Sequence, residues 1–218
     1  MSERRFSWET TLHVLGLLEA VHGSFHRSEG GAWFEALDGA RVTPPAVFPP
    51  GDDHLSLGQY LGSLPCREGE LHTGGQVFLL LQAGAVALGV WKNGGLLKHK
   101  VIKKYVIRAG QGRAQSAQGR RRPARSAGAR LRSRNERSLL AEMGDCLQGW
   151  SEEVRTSERI FYSAPVRLWG EVLREVPGLG FSGDDPRLQK IALDLRRPGM
   201  AELRHVIYEM THGRIVEP

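Results

Sequence analysis

The sequence predicts a mixed α/β (α+β) fold, in which a small α+β unit precedes a larger domain with helices packed on a sheet. Two observations predict this class. Short apolar segments separated by turn residues follow one another over residues 75–108, which is typical of an antiparallel meander. After residue 126, segments of helical and strand-like periodicity alternate. The chain has 218 residues, which suits one moderate domain with a small companion, and we place the boundary between residues 1–70 and 71–218.

The N-terminal unit, residues 1–70, is predicted to contain one helix and one hairpin. Leucines recur at helical spacing over residues 7–22, and Gly23 is expected to end this helix. The following segment, AWFEALDGARVTP, has the pattern of a hairpin with its turn at Asp38-Gly39. The proline-rich stretch PPAVFPPGDD cannot form a regular element, so the rest of this unit is expected to be rich in loops.

The larger unit, residues 71–218, is predicted to begin with a β-meander. Its first two strands, Val77–Leu81 and Ala85–Trp91, are short and apolar, and Asn93-Gly94-Gly95 then turns the chain. Along Leu96–Arg108, lysines alternate with apolar residues, although the alternation is imperfect. This pattern predicts a further strand with one apolar face and one wet, basic face.

A long helix is predicted to follow. Its start is expected at Ser126 as the N-cap, or at a capping box formed by Ser133 and Glu136. Its apolar stripe comprises Leu131, Leu139, Met143, Leu147 and Trp150. The remaining segments are, in order, a strand at Arg159–Pro165, a short helix over VRLWGEVL, a strand over LQKIALDL and a last helix over Met200–Met210, with Pro198 in its first turn and Gly213 just past its end.

The positive charge of the chain is concentrated in one segment. The sequence contains 30 Lys and Arg residues against 24 Asp and Glu residues, a net charge of +6. Residues 71–135 contain 14 of the basic residues and no acidic one, so this segment carries +14 and the rest of the chain carries −8. A field of one sign attracts a polyanion, and nucleic acid is the usual one. A solvated basic face or a basic arm is the alternative.

Several classes of site are disfavoured by the residues present. Cys66 and Cys146 form no CxxC pair, which argues against a zinc finger or a disulfide framework and fits a reducing cytoplasm. The eight histidines form neither HxH nor HExxH, and Asp184-Asp185 fits a loop better than a magnesium site, so no metal or other cofactor is expected. No apolar run approaches the roughly 18 residues of a membrane span, and no secretory signal is expected. Packing, rather than base stacking, is expected for Trp33, Trp91, Trp150 and Trp169.

A loop of small and polar residues, GQGRAQS, lies inside the basic segment. Gly110 and Gly112 allow backbone conformations closed to other residues, and Gln115 offers a neutral amide that can orient a water molecule. Hydrolysis of an activated ester needs little more than an excluded pocket, an oriented water and a stabilised oxyanion. An ordinary loop with solvated arginines is the alternative. The whole loop, residues 109–126, is expected to be flexible in the free protein because it has nothing apolar to bury.

The basic segment and the predicted helix after it resemble the Vms-like release factor (VLRF) domain, a family related to the catalytic middle domain of eukaryotic and archaeal class-one release factors. The motifs that carry the resemblance are His99-Lys100, Tyr105-Val106 and Arg108, then Gly112, Gln115 and Ser116, then Ser126-Ala127-Gly128-Ala129, Leu131, Arg132, Asn135 and Glu136. IFYSAP and LDLRRPGMAELRHV also stand where the family has later elements, so the match covers residues 75–212. The loop departs from the Gly-Gly-Gln of release factors, because Gly-Arg-Ala precedes Gln115 and leaves less backbone freedom beside it.

The resemblance implies an RNase H-like fold and release of the nascent chain from peptidyl-tRNA held on stalled large ribosomal subunits. Gln115 would then position the hydrolytic water in the peptidyl transferase centre, with Gly112 and Ser116 beside it. The RNA-binding residues would be Lys100, Lys103, Lys104, Arg108, Arg113, Arg120, Arg121, Arg122, Arg125, Arg130 and Arg132. The expected partners are the large subunit, its ribosomal RNA and peptidyl-tRNA, and the expected state is a cytoplasmic monomer.

Other interpretations stay open at this point. The same domain can instead cleave a phosphodiester bond near the 3′ end of the tRNA, which requires a different nucleophile in line with phosphorus. A non-enzymatic protein that binds ribosomal or other RNA, or a basic domain that binds DNA, would explain the charge without catalysis. The zinc finger, ankyrin repeats and segregase-binding segment of eukaryotic family members are not visible in this sequence, so partners of those types are not expected.

Overall fold

The computed structural model describes residues 2–28, 33–50, 54–67, 70, 71, 73–104 and 127–218, with the backbone alone for residues 67, 70 and 127–133. Two compact units divide the chain, and both are discontinuous in sequence. The first unit comprises Met1–Gly74, Lys92–Gly95 and Arg204–Pro218, and the second unit comprises Gly75–Trp91 and Leu96–Leu203. The last fifteen residues of the chain therefore lie in the first unit, whereas the predicted division at residue 70 assigns them to the larger C-terminal unit.

The elements alternate along the chain. The strands are β1 (Ser2–Ser7), β2 (Phe25–Arg27), β3 (Phe34–Ala36), β4 (Arg41–Thr43), β5 (Cys66–Arg67), β6 (Glu70–Leu71), β7 (Gly75–Gln82), β8 (Ala85–Lys92), β9 (Gly95–Lys103), β10 (Ser157–Ser163), β11 (Leu188–Lys190) and β12 (His212–Glu217). The helices are α1 (Thr11–His22), α2 (Leu57–Ser63), α3 (Ala127–Gly149), α4 (Ser151–Thr156), α5 (Val166–Glu175) and α6 (Met200–Thr211), and a 3₁₀ turn at Trp8–Thr10 precedes α1. The predicted mixed α/β class is confirmed.

The first unit contains a five-stranded sheet in the order β1-β12-β4-β3-β2. The predicted hairpin is confirmed, because β3 and β4 pair antiparallel around a turn in which Gly39 has φ +87°. The Asp38 carboxylate accepts a hydrogen bond from the Ala40 N–H at 3.0 Å and lies 2.6 Å from Nδ1 of His22. The turn is therefore attached to the end of α1.

The sequence prediction omits three strands of this sheet: β2, which pairs with β3, and the two strands formed by the chain ends, β1 and β12. Residues 2–7, of which Ser7 was predicted to begin the first helix, form β1, and β12 follows α6 directly. The two strands pair antiparallel from Ser2↔Glu217 to Ser7↔His212. Phe6 packs on Gly213, where an added Cβ would come within 2.2 Å of the ring. These strands form because each finds its partner at the other end of the chain, which local periodicity does not reveal.

The second unit is built on a five-stranded sheet in the order β11-β10-β7-β8-β9. The predicted meander is confirmed: β7 and β8 pair antiparallel, and β9 lies beside β8 at the edge. β10 adds on the other side of β7 in parallel orientation, which agrees with the RNase H-like arrangement that the resemblance implies. Val77–Leu81 are at most 1% exposed, so both faces of the central strand are covered.

The long helix α3 covers one face of this sheet. Leu139, Met143 and Leu147 are fully buried in a cluster that includes Leu79 and Leu88. The alternative start at a Ser133–Glu136 capping box is wrong, because α3 already begins at Ala127 and Ser133 lies inside it. Ser126 lies outside the described residues. The helix ends at Gly149, and the short α4 follows it without having been predicted.

The C-terminal part of the second unit is less regular than the sequence predicts. The expected strand over LQKIALDL is confined to β11, which pairs in parallel with β10, and residues 191–199 form neither helix nor strand. The last helix, α6, begins at Met200 as predicted. The irregular segment is nevertheless held in place, because Gln82 donates to the carbonyl oxygens of Leu195 and Arg196 at 3.1 and 3.2 Å.

Candidate nucleic-acid interface and the base of the basic loop

The basic strand β9 presents different groups on its two faces. Ile102 points into the core beside α3 and is 4% exposed. On the same side, Lys98 forms an ion pair with Glu153 of α4, and Lys104, just past the strand, forms one with Glu142 of α3. The face predicted to be wet and basic is therefore partly covered, because two acidic residues from the packed helices meet its lysines.

The ion pairs and burial on this face shift two pKa values. The hydrogen bond from Lys98 lowers the pKa of the Glu153 carboxyl, so this glutamate is ionised and neutralises the lysine. Burial raises the pKa of the Cys146 thiol, an effect that Lys100 and Lys98 partly oppose. Cys146 is half-buried against the core cluster, and its raised pKa disfavours a reactive thiolate.

Two of the predicted RNA-binding lysines remain exposed on β9. Lys100 and Lys103 are exposed, whereas Lys104 is half-buried in its ion pair with Glu142. Lys103 belongs to the opposite side of the strand, where its ammonium lies 3.8 Å from the position of a Cβ built on Gly199. Strand β9 thus offers one exposed lysine on each face for a polyanion.

The base of the basic loop is well defined on both sides. The Lys104 N–H donates to the carbonyl of Gly84 in the β7–β8 turn at 2.9 Å, which continues the sheet to the last described residue before the loop. After the loop, the chain returns at Ala127, the first residue of α3. The catalytic candidates Gln115, Gly112 and Ser116 lie outside the described residues, as do Arg108, Arg113, Arg120, Arg121, Arg122, Arg125 and the whole predicted flexible loop, 109–126. Arg130 and Arg132 lie in the first turns of α3, where the backbone alone is described.

A pair of arginines that was not among the predicted site residues lies at the same end of the sheet. Arg196 and Arg197 are exposed in the irregular segment before α6. The Arg197 guanidinium lies 3.5 Å from the Gly84 carbonyl oxygen, the oxygen that also accepts from Lys104. The adjacent arginines of LDLRRP were the available signal in the sequence, but only the folded chain brings them to the loop base.

The carboxylates and tryptophans considered as sites have structural roles. Asp185 accepts hydrogen bonds from Arg187 at 2.7 and 3.0 Å, and these bonds lower the pKa of its carboxyl. Among the described residues, no group of three or more His, Cys, Asp or Glu side chains could hold a metal ion. Trp91 is 3% exposed, and the ring of Trp169 stacks on that of Tyr162 at 4.1 Å. The packing role predicted for these two tryptophans fits this structure.

Comparison with known proteins decides the family. Residues 76–218 match the family model described as Bacteroidetes VLRF1 release factor, bVLRF1. The chain belongs to this family. The matched region includes both the described sheet and the loop that carries Gln115, and the resemblance to VLRF domains stated from the sequence motifs is confirmed. In this bVLRF1 member, none of the helices that the structure describes is long and apolar enough to cross a bilayer.

Relatives of this bVLRF1 member include proteins named tRNA endonuclease ANKZF1. The mouse protein is 35% identical over 138 residues, which is 62% of this chain and 18% of the relative. The bovine protein is 34% identical over 179 residues, which is 74% of this chain and 23% of the relative. This chain therefore spans about a fifth of the length of these curated relatives.

One solved structure supports the fold. The chain is similar to a structure titled "Vms1 mitochondrial localization core", with a TM-score of 0.56, over 97% of this chain and 85% of that chain. The two sequences are 13% identical, so this similarity concerns the arrangement of helices and strands alone.

Proposed function

We propose that this protein is a release-factor-type peptidyl-tRNA hydrolase that acts on stalled large ribosomal subunits in the cytoplasm. The observation that carries the proposal is the family match over residues 76–218, which includes the Gly112–Ser116 loop. The described elements on either side of the loop support it, because β9, which carries exposed lysines, precedes the loop in the chain and α3 follows it. In this proposal the partners are the large subunit, its ribosomal RNA and peptidyl-tRNA.

The proposed chemistry is positioning rather than acid–base catalysis. The amide of Gln115 is neutral and orients a water molecule against the ester carbonyl that joins the peptide to the tRNA ribose. A backbone N–H at the loop tip stabilises the oxyanion that develops on that carbonyl. The water adds to the carbonyl carbon, the ester C–O bond breaks, and the ribose hydroxyl leaves with a proton. Small residues at Gly110 and Gly112 let the loop reach an ester enclosed by RNA.

The structured lysines would supply the sequence-independent part of binding. Lys100 and Lys103 would contact phosphates of the RNA, a role for which a lysine ammonium on a long stem suits well. The described residues contain no candidate metal cluster, and the hydrolytic reaction as proposed needs no cofactor.

A second reaction is supported by the names of the relatives. The mouse, bovine and human relatives are each named a tRNA endonuclease. In that reaction the bond broken is a phosphodiester near the 3′ end of the tRNA, so the peptide leaves with the terminal nucleotides attached. Both reactions free the nascent chain from the bulk of the tRNA, and they differ in the length of the tRNA that remains.

The first test uses purified large ribosomal subunits that carry labelled peptidyl-tRNA. We expect the wild-type protein to release the peptide and leave a full-length tRNA, and the Gln115→Ala variant to lose at least about 100-fold in rate, the size typical for loss of one positioning or oxyanion group. Gln118→Ala is the matched control, because it removes an amide from the same loop, and it should keep most of the activity.

The outcomes separate the candidate functions. Release that leaves a tRNA shortened at its 3′ end would show that the bond cleaved is a phosphodiester and not the ester. Equal activity of Gln115→Ala and Gln118→Ala would remove the assigned role of Gln115. Binding to the subunit without release by any variant would leave an RNA-binding protein that occludes a site.

A further inference from the structure

The backbone of the irregular segment before α6 is hydrogen-bonded to neighbouring side chains although it contains no regular element. The carbonyl oxygens of Leu195 and Arg196 accept from the side chain of Gln82. The Arg196 N–H donates to Glu202 Oε1 at 2.9 Å, and Glu202 is 8% exposed in the first turn of α6. Pro198 is buried. These contacts hold the backbone of two consecutive arginines in one conformation while both side chains remain exposed.

Three cationic side chains lie on this segment or beside it. Arg197 reaches the Gly84 carbonyl, and Lys103 places its ammonium beside Gly199. We call Lys103, Arg196 and Arg197 the arginine cluster. The carboxylate of Glu202 accepts a hydrogen bond from the backbone N–H of Arg196. The other acidic residue nearby in the chain is the exposed Asp194. The guanidinium groups therefore keep donors available for an external anion.

We propose that the arginine cluster is a phosphate-binding site for RNA, which extends the interface beyond the continuous basic segment of the chain. Guanidinium groups bind phosphate oxygens with paired N–H donors. A backbone fixed in advance reduces the entropy lost on binding. The site lies at the end of the sheet where the basic loop departs, because Gly84 contacts both Arg197 and the Lys104 N–H. The inference rests on the proposed function for the identity of the anion as RNA.

The test measures how the affinity for RNA depends on salt. The probe is a fluorescent minihelix with the sequence of a tRNA acceptor stem and a 3′ CCA end, titrated with the full-length protein between about 50 and 200 mM KCl, a range over which phosphate contacts dominate the change in affinity. Each phosphate contact that is lost lowers the slope of log K against log[KCl] by about one. We expect the Arg196→Gln/Arg197→Gln variant to bind more weakly, with a slope shallower by about 1.5 to 2.

Two matched variants separate a site from general charge. Arg155→Gln/Arg174→Gln removes two exposed arginines from α4 and α5, where Glu152 and Glu175 neutralise them, and it should leave the slope unchanged. Arg196→Lys/Arg197→Lys keeps both charges and should restore most of the slope. If the double glutamine variant fails to fold, Arg196→Gln alone keeps the Arg197 contact with Gly84, and its slope should be shallower by about one.

The proposal is overturned if the glutamine variants bind the minihelix with the wild-type slope, or if the control pair loses as much. A variant that binds RNA normally but no longer binds the large subunit would assign the cluster to a protein partner, which also overturns it. The release assay is performed on the same proteins. Absence of release by the wild type, together with a shallower slope in the variant, would reject the hydrolase function and retain the RNA site.

Discussion

Asp185 and Arg187 form a part-buried ion pair in the second unit. The Arg187 side chain is 24% exposed and that of Asp185 is 12% exposed. Arg187 also donates to the carbonyl oxygens of Val154 at 2.8 Å and Gly180 at 3.3 Å. A single guanidinium therefore joins the end of α4 to the loops around β11, and Asp185 supplies its counter-charge.

Replacing Asp185 by Asn should destabilise the protein at neutral pH by about 2 kcal/mol, because hydrogen bonds to charged groups contribute about 1.5 to 3 kcal/mol. The pKa of Asp185 lies below its ordinary value of 3.8 because of the bonds from Arg187. A carboxyl with a lowered pKa stabilises the fold above the unfolded-state pKa, and this contribution disappears as the pH falls through the folded-state pKa. The difference between wild type and variant should therefore be full above about pH 5 and shrink below about pH 4.

This prediction is checked by urea unfolding of both proteins between pH 7 and pH 3. The control is Glu152→Gln, which breaks a pair with Arg155 in which both side chains are about 70% exposed. This control should change the free energy of unfolding by less than about 0.5 kcal/mol. A difference for Asp185→Asn that stays constant down to pH 3 would contradict the assigned role of the carboxylate.

At the scale of the elements, acidic residues of helices α3 and α4 neutralise part of the positive charge on β9 and the residue that follows it. Glu142 and Glu153 neutralise Lys104 and Lys98 and leave Lys100 and Lys103 exposed. The helices thus limit the number of unpaired lysines along this strand. The packing of Leu139 and Met143 holds α3 against the sheet.

The variant Glu142→Gln/Glu153→Gln should release both lysines and strengthen RNA binding. We expect a salt slope steeper by up to about two and a higher affinity at low salt. Stability should fall by less than about 2 kcal/mol, since pairs with this exposure each contribute up to about 1 kcal/mol. The same minihelix titration measures the effect.

The matched control for the element is Glu171→Gln/Glu175→Gln. It removes two carboxylates of α5 that pair with Arg167 and Arg174, so the change in net charge is identical. Equal strengthening by the two variants would mean that net charge alone controls binding and that β9 has no special part in it.

At the scale of the whole molecule, the two ends of the chain form one sheet. β12 lies between β1 and β4 and pairs with both. Residues 1–70 alone therefore lack an internal strand of their own sheet, and β1 has no described partner other than β12. The first unit depends on residues 212–218 for the backbone hydrogen bonds of β1 and of one edge of β4.

Removing residues 212–218 should unfold the first unit, because β1 and β4 then lose their partner strand and Phe6 loses the surface of Gly213. We expect the loss of the dispersed amide NMR signals of residues 2–7 and 41–43, and a lower Tm. The control is deletion of Pro218 alone, which lies beyond β12. Retention of the dispersed signals in the longer deletion would show that residues 1–70 fold without β12.

Local patterns were sufficient for much of the fold. The hairpin at Asp38-Gly39, the meander and α6 all form where the sequence predicts them, because turn residues and hydrophobic periodicity depend on near neighbours. The capping box at Ser133 was misplaced because the helix extends past a good local start signal. The strand predicted over LQKIALDL ends after Lys190. The Ile191 N–H still donates to Tyr162 of β10, but at Leu195 and Arg196 the backbone is bonded to the side chains of Gln82 and Glu202.

Some features of the candidate site could likewise be predicted from neighbouring residues, and others depend on the fold. The concentrated positive charge and the ordered motifs around Gln115 occur in one continuous segment of the sequence, so the family could be identified from them. The neutralisation of Lys98 and Lys104 could not be predicted from the sequence, because the acidic residues of α3 and α4 that pair with them lie far along the chain. The approach of Arg197 to Gly84 joins residues that are 113 positions apart in the chain, and it depends on the sheet that brings them together.

The sequence by itself determined the mixed α/β class, the meander, the basic segment and membership of the release-factor family, since all of these are carried by neighbouring residues. Only the tertiary structure decided which lysines are paired with carboxylates and which strand completes the first sheet. The physical reason is that backbone hydrogen bonds between distant strands and ion pairs between packed elements leave no periodic trace in the chain. They exist only once burial of the core has fixed the distances between their partners.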